Sequence, residues 1–146
     1  MKLPGLQIGN RRAETCIIQG GMSVRIALAP LAAAVAEQGG VGTIGGMGIS
    51  PSELRAQIRE ARTKTDGIIG VNLMYVGYLF DRLLEVCIEE NIDYVAIGAG
   101  FARGPFKKLK KHDIPGFAII SSAKAARIVV RTPGVTGVVV ESGRAG

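Results

Sequence analysis

Ile68-Ile69-Gly70-Val71-Asn72-Leu73-Met74, then the segment Leu79 to Glu90, then Tyr94-Val95-Ala96-Ile97-Gly98 is the stretch that decides the fold. The two outer runs are short, apolar and rich in β-branched residues. Their apolar positions are continuous rather than alternating, which marks strands buried on both faces, as in a parallel sheet. Between them, apolar residues at 79, 80, 83, 84, 87 and 88 form a stripe at helical spacing. Strand, helix, strand in this order is one β/α/β unit.

Working outward, the same alternation recurs along the chain. Apolar runs begin near Cys16, Val41, Ile68, Tyr94, Gly116 and Gly137, at intervals of 21 to 27 residues. The segments between carry helix punctuation. Pro30 suits a first turn and Gly39 a stop after Gln38. Ser50-Pro51-Ser52-Glu53 is a capping box with proline at the first helical position, opening a helix to about Lys64. Pro105 to Lys111 reads as a shorter basic helix. Ser122 caps a helix to about Arg131, ended by Pro133-Gly134. The class is therefore α/β.

Two architectures fit this alternation, a doubly wound open sheet and a closed barrel. In the first, ligand chemistry gathers at one switch point. In the second, every strand's C-terminal end faces one mouth. Here all six ends carry glycine or polar residues: Gln19-Gly20-Gly21-Met22, Gly45-Gly46-Met47, Asn72, Gly98-Ala99-Gly100, Ser121-Ser122 and Glu141-Ser142-Gly143. That even distribution favours a parallel (β/α)8 TIM barrel. About six of its eight β/α units lie in residues 1–146, read as the N-terminal part of a single barrel domain, and the strands near residues 16 and 138 are expected to be bare edges.

Composition limits the alternatives. Hydrophobic residues make up 47% and charged residues 21% of the chain, which describes a core-forming chain, not a disordered one. The net charge of +6 clusters once, at Lys107-Lys108-Leu109-Lys110-Lys111, without interleaved aromatics, so a solvated helix face is read there and no nucleic-acid partner. Cys16 and Cys87 show no metal or redox spacing and read as buried free thiols in a reducing compartment. There is no signal-peptide pattern and no long apolar span, so no membrane is read and a cytoplasmic location is expected. The oligomeric state stays open.

Gly40-Val41-Gly42-Thr43-Ile44-Gly45 matches the dinucleotide fingerprint G-x-G-x-x-G. That motif must follow a strand and open a helix. This one follows a helix and contains a strand, so it is read as a helix stop and a closely packed strand. His112, the only histidine, precedes a strand and so falls on the stability side of the barrel, in a surface loop.

The strand-end motifs, taken in order, resemble the nitronate monooxygenase family, formerly called 2-nitropropane dioxygenases. They are Ile17-Ile18-Gln19-Gly20-Gly21-Met22, Gly39-Gly40-Val41-Gly42, Gly70-Val71-Asn72-Leu73-Met74, Gly98-Ala99-Gly100, Ser121-Ser122-Ala123-Lys124-Ala125-Ala126 and Val140-Glu141-Ser142-Gly143-Arg144-Ala145-Gly146. Flavin-dependent enoyl-acyl-carrier-protein reductases of type II are close relatives.

The resemblance implies an FMN-binding TIM-barrel oxidoreductase that oxidises alkyl nitronates with dioxygen. It also implies roles. The Gly21-Met22 backbone would line the flavin, Asn72 would hydrogen-bond it, Gly98 would admit the ring, and Glu141 and Gly146 would contact it after the sixth strand. Each position has a plainer reading beside it. Gly98 is also a β/α turn, Met22 is also core packing, and an amide in an apolar strand needs either a cofactor or a backbone partner. In relatives, Ala-Gly is followed by Gly-His, and that histidine is the acid/base. Residue 146 precedes it here, as it precedes the phosphate loops, so the chain alone is expected to bind FMN weakly and to be inactive. The departure at Ser142, where glycine is usual, loosens the role of Glu141. The alternatives are an NAD(P)H-dependent reductase of enoyl thioesters and a non-catalytic barrel fragment needing a partner.

Overall fold

A computed structural model describes residues 4–142. The chain opens with a hairpin, β1 (Leu6–Ile8) and β2 (Arg11–Ala13), antiparallel and turning at Gly9-Asn10. Then α1 (Ala29–Glu37), β3 (Val41–Gly45), α2 (Pro51–Lys64), β4 (Ile68–Met74), α3 (Phe80–Glu89), β5 (Tyr94–Gly98), α4 (Arg103–Lys111), β6 (Gly116–Ile120), α5 (Ala123–Val129) and β7 (Val135–Val140) follow.

Strands β3 to β7 form one parallel sheet whose spatial order is the chain order. A doubly wound sheet would reverse direction at its switch point. An order that never reverses, with right-handed crossovers, carries every helix to the same face, as in a barrel wall.

The expected first strand is corrected in detail. Cys16–Gln19 is not a full strand. It lies beside β3 through one parallel bridge, Ile18 to Val41. The Gln19 amide donates to the Val41 carbonyl at 3.0 Å, and the Val41 amide to the Ile17 carbonyl at 2.9 Å. The segment thus holds the first strand's place, and among the described residues its ladder with β3 is a single bridge and no strand pairs with its other side.

Helix starts follow their caps. The Ser50 hydroxyl accepts from the Glu53 amide and the Ser122 hydroxyl from the Ala125 amide, each at 3.2 Å. The core divides by strand face. Ile44, Ile69, Val71, Leu73, Val95, Ile97, Ala118 and Ile120 pack against the helices. On the opposite face, Val41, Ile68, Tyr94 and Ala96 pack with Ile8 and Ala13 of the hairpin. The hairpin therefore seals the starting ends of β3 to β5. Arg11 anchors it there: its guanidinium pairs with Asp93 at 3.0 Å, and Arg62 holds the other carboxylate oxygen at 2.8 Å.

Two cysteines behave differently. Cys87 is buried in the helix-side core, and burial pushes its thiol well above the usual range. Cys16 is exposed, against the expectation that both are buried, because it lies on the bare edge. His112 caps the end of α4 in an exposed position.

Candidate functional site

The site is built on the inward face at the C-terminal ends of the strands. Along β4, Ile69, Val71 and Leu73 point to the helices, so Ile68, Gly70, Asn72 and Met74 point the other way. Asn72 is thus the one polar side chain of β4 and faces away from the helix layer. It is half-buried. Its backbone carbonyl accepts from the Gly46 amide at 2.9 Å, but its side-chain amide makes no hydrogen bond among the described residues. The backbone partner that could have explained the amide is therefore not there.

Gly21 lies directly against Asn72. A Cβ placed on Gly21 would fall 2.2 Å from the Asn72 Cβ and 3.3 Å from the Thr43 Cγ2. Only a glycine lets the segment after the first edge cross this close to β4. Met22 is 43% exposed, so core packing does not account for its side chain. Its carbonyl accepts from the Ala27 amide at 3.2 Å, and a Cβ on Gly45 would sit 2.4 Å from that carbonyl oxygen. Backbone of the first loop and the end of β3 are pressed together here. Val24 and Arg25 follow with φ of 50° and 63°, a conformation a β-branched residue rarely adopts.

Gly98 is buried at the end of β5, in register with Met74. A Cβ there would lie 3.1 Å from the Ile119 side chain, so close packing alone gives a reason for glycine at this position. Ala99 and Gly100 then turn with φ of 50° and 123°. Glu141 follows β7; its amide donates to the Ile120 carbonyl at 2.8 Å, and its carboxylate is exposed. It borders an open cleft with Ala99, Phe101, Ser121 and Ile128, at the ends of β5, β6 and β7. Gly146 lies outside the described residues. The structure thus brings Gly21 directly against Asn72, with Met22 the next residue along the chain, and sets Gly98 and Glu141 at the ends of β5 and β7 in the same sheet.

A relay beneath this rim was not legible as function in the sequence. The Thr43 hydroxyl bonds the Tyr94 hydroxyl at 2.5 Å and donates to the Gln19 carbonyl. The Gln19 side chain answers by donating to the Thr43 carbonyl at 3.0 Å and accepting from its amide at 3.3 Å. Gln19 therefore continues with its side chain the ladder its backbone leaves. Burial raises the Tyr94 phenol to about 12, while the Thr43 bond pulls it down and Asp93 pushes it up. The signal that could have found Thr43 is its hydroxyl inside the buried run Val41–Gly45. The G-x-G-x-x-G pattern drew attention from it; that pattern indeed lies within and just before β3, not in a strand-to-helix turn.

The set offers the backbone of Gly21 and Met22 and the side-chain amide of Asn72. Among the described residues no group of acidic, histidine and cysteine side chains is arranged to hold a metal ion. Among the same residues no helix is long and apolar enough to cross a membrane.

Known proteins share this fold. The family model described as nitronate monooxygenase matches residues 8–78. FabK from Thermotoga maritima superposes with a TM-score of 0.81 at 38% identity, covering 84% of this chain and 39% of FabK. A mutant of the same protein gives the same score and identity, with 41% of its chain covered. Nitroalkane oxidase from Streptomyces ansochromogenes superposes with a TM-score of 0.78 at 19% identity, covering 85% of this chain and 45% of that one, which is a likeness of fold. The chain spans about two-fifths of the length of the FabK structures it matches. No curated protein matches it in sequence. The resemblance drawn from the strand ends is shown: the chain is similar to the N-terminal part of the nitronate monooxygenase and FabK group.

Proposed function

We infer, from a chain whose residues 8–78 match the nitronate monooxygenase family, that it forms the N-terminal part of an FMN-dependent oxidoreductase barrel. One observation carries the reading. Asn72 offers an unpartnered amide from an apolar strand, where an unpaired polar group is costly, and the Gly21 backbone lies against it. A flavin edge carries alternating donors and acceptors that an amide can pair with.

The chain's own residues would position the ring. Gly21 and Met22 would present backbone to it, Asn72 would fix its edge, and Gly98 and Glu141 would border it at the next strand ends. Gly146, which lies outside the described residues, would contact the flavin on the strength of the family resemblance alone. FMN, when bound, supplies the electron transfer; the protein supplies binding and orientation. The substrate proposed is an alkyl nitronate, oxidised with dioxygen, on the support of the family match. A second reading, reduction of an enoyl thioester by NAD(P)H, takes its support from the identity of 38% to FabK against 19% to nitroalkane oxidase. In both readings the location is cytoplasmic.

Titrating the chain with FMN tests the cofactor. Saturable quenching of flavin fluorescence is expected, weak because the residues that would grip the phosphate belong to later strands in such barrels. No quenching at any concentration overturns the flavin reading. In the protein that contains the whole barrel, nitronate-dependent oxygen uptake is set against NAD(P)H-dependent enoyl thioester reduction. Reduction without nitronate oxidation replaces the first substrate by the second.

A further inference from the structure

Beside the Asn72 rim, the loops after β3 and β4 enclose a cavity of about 260 Å³ that the flavin reading leaves unassigned. Its floor is apolar and fixed: Ile49, Phe80 and Leu83 are all buried in the helix-side core. Its mouth is open, with Met47 at 44% and Tyr78 at 94% exposure. Met74, the last residue of β4 and two residues beyond Asn72, lines it at the end of the strand.

Polar groups around the cavity are already engaged. The Ser50 hydroxyl caps α2 and meets the Ser52 hydroxyl at 3.0 Å. The Gly46 amide donates to Asn72 and the Gly77 amide to Met74, at 2.9 and 3.0 Å. No charged residue lines the wall. A charged or strongly polar ligand would therefore be desolvated there without a partner. An apolar one gains, and two flexible methionines let the wall follow a chain of variable shape.

We propose that this cavity receives the straight alkyl chain of the substrate whose reacting end sits at the Asn72 rim. The proposal rests on the oxidoreductase reading for the reacting end; the cavity's preference for an alkyl chain rests on its own lining. It makes chain length a specificity determinant, read by Met47, Met74, Tyr78 and Phe80.

The test uses the whole chain with its methionines labelled at the methyl carbon. Four methionines are present, Met1, Met22, Met47 and Met74, so two report on the cavity and Met22 reports on the flavin rim. The probes are butanol, hexanol and octanol. Met47 and Met74 should shift saturably while Met22 stays in place, and each added methylene should tighten binding about fourfold. Met47→Trp, at an exposed position that folding tolerates, should weaken hexanol binding at least about tenfold as reported by Met74, since it fills the mouth. Met47→Leu should leave binding near wild type. No shift at Met74, equal shifts at all methionines, affinity independent of chain length, or unchanged binding in Met47→Trp each overturns the proposal. FMN titration of the same sample separates the two readings. Movement of Met22 by FMN without alcohol binding overturns the cavity assignment alone. Alcohol binding without any FMN response supports the cavity and overturns the flavin reading.

Discussion

Asn72 is a polar side chain in an otherwise apolar strand, and the structure removes the plainer explanation for it. Alanine at this position keeps the Cβ that Gly21 packs against and deletes only the amide. Asn72→Ala should therefore change folding stability by less than ~0.5 kcal/mol, because no protein hydrogen bond among the described residues is lost. FMN affinity should fall about fivefold to tenfold, the worth of one hydrogen bond of ~1 kcal/mol. Fluorescence titration of both chains measures this, and equal affinities would remove Asn72 from the site. Tyr94 belongs to the same scale. Its phenol is held in the folded chain up to about 12, first by burial, against ~10 when unfolded. Between those values the folded state keeps a proton the unfolded state has lost, so stability is full below about pH 10 and falls as pH rises towards 12. The loss amounts to about 3 kcal/mol. Urea midpoints followed from about pH 9 to about pH 12 should drop in wild type more than in Tyr94→Phe. Equal slopes would mean that the phenol ionises as freely folded as unfolded. Asn72 could be read from sequence because an amide is conspicuous among apolar neighbours. Thr43, Tyr94 and Gln19 could not, since their relay joins β3, β5 and the segment before α1, and only folding brings them into reach.

Elements were legible where local chemistry sets their ends. Ser50, Pro51 and Glu53 start α2 where the capping box puts it, and Ser122 starts α5. α4 begins at Arg103, two residues before the proline taken as its start, because proline is tolerated anywhere in the first turn. The hairpin of β1 and β2 was missed: three-residue strands carry little periodicity, and Gly9-Asn10 was the only sign of it. The first barrel strand was over-read, since an apolar run such as Cys16–Gln19 does not show whether a neighbour exists to complete its ladder. The fit of α1 on β3 is a feature of elements, not of single residues. A Cβ on Gly42 would fall 2.0 Å from the Ala32 carbonyl oxygen, and this oxygen is tied into the helix and cannot turn aside. Gly42→Ala should force the helix off the strand and destabilise the chain by at least ~2 kcal/mol. Ser50→Ala, which only loses a cap, should cost ~1 kcal/mol. Chemical denaturation of the two variants ranks them. A milder effect at Gly42 would show that α1 slides on β3 freely.

At the scale of the whole molecule, the sheet formed by the described residues has two edges where a closed barrel has none. On one, Ile17 is 57% and Ile18 39% exposed; on the other, Val140 is 74% exposed, with Ile128 and Val130 of the neighbouring helix region at 50% and 59%. Among the described residues β7 pairs with β6 alone, so its outer backbone groups face no strand. Unpaired edges flanked by exposed apolar side chains template pairing with another chain. The sequence foretold these edges by a count of strands, but not their composition, which depends on how far the first strand's ladder extends. Opposing association is the net charge of +6, which repels like copies over a Debye length of ~10 Å at ~0.1 M salt. Salt screens that repulsion and leaves apolar contact in place. Sedimentation velocity should therefore show association that grows with protein concentration and grows further as salt is raised. Lysines placed at both edges, Ile18→Lys with Val140→Lys, should return the chain towards monomer at every salt concentration. Association that weakens as salt rises would instead assign it to charge, through the lysine-rich face of α4 meeting acidic residues of a second copy, and a monomer at all concentrations would mean that these edges do not pair.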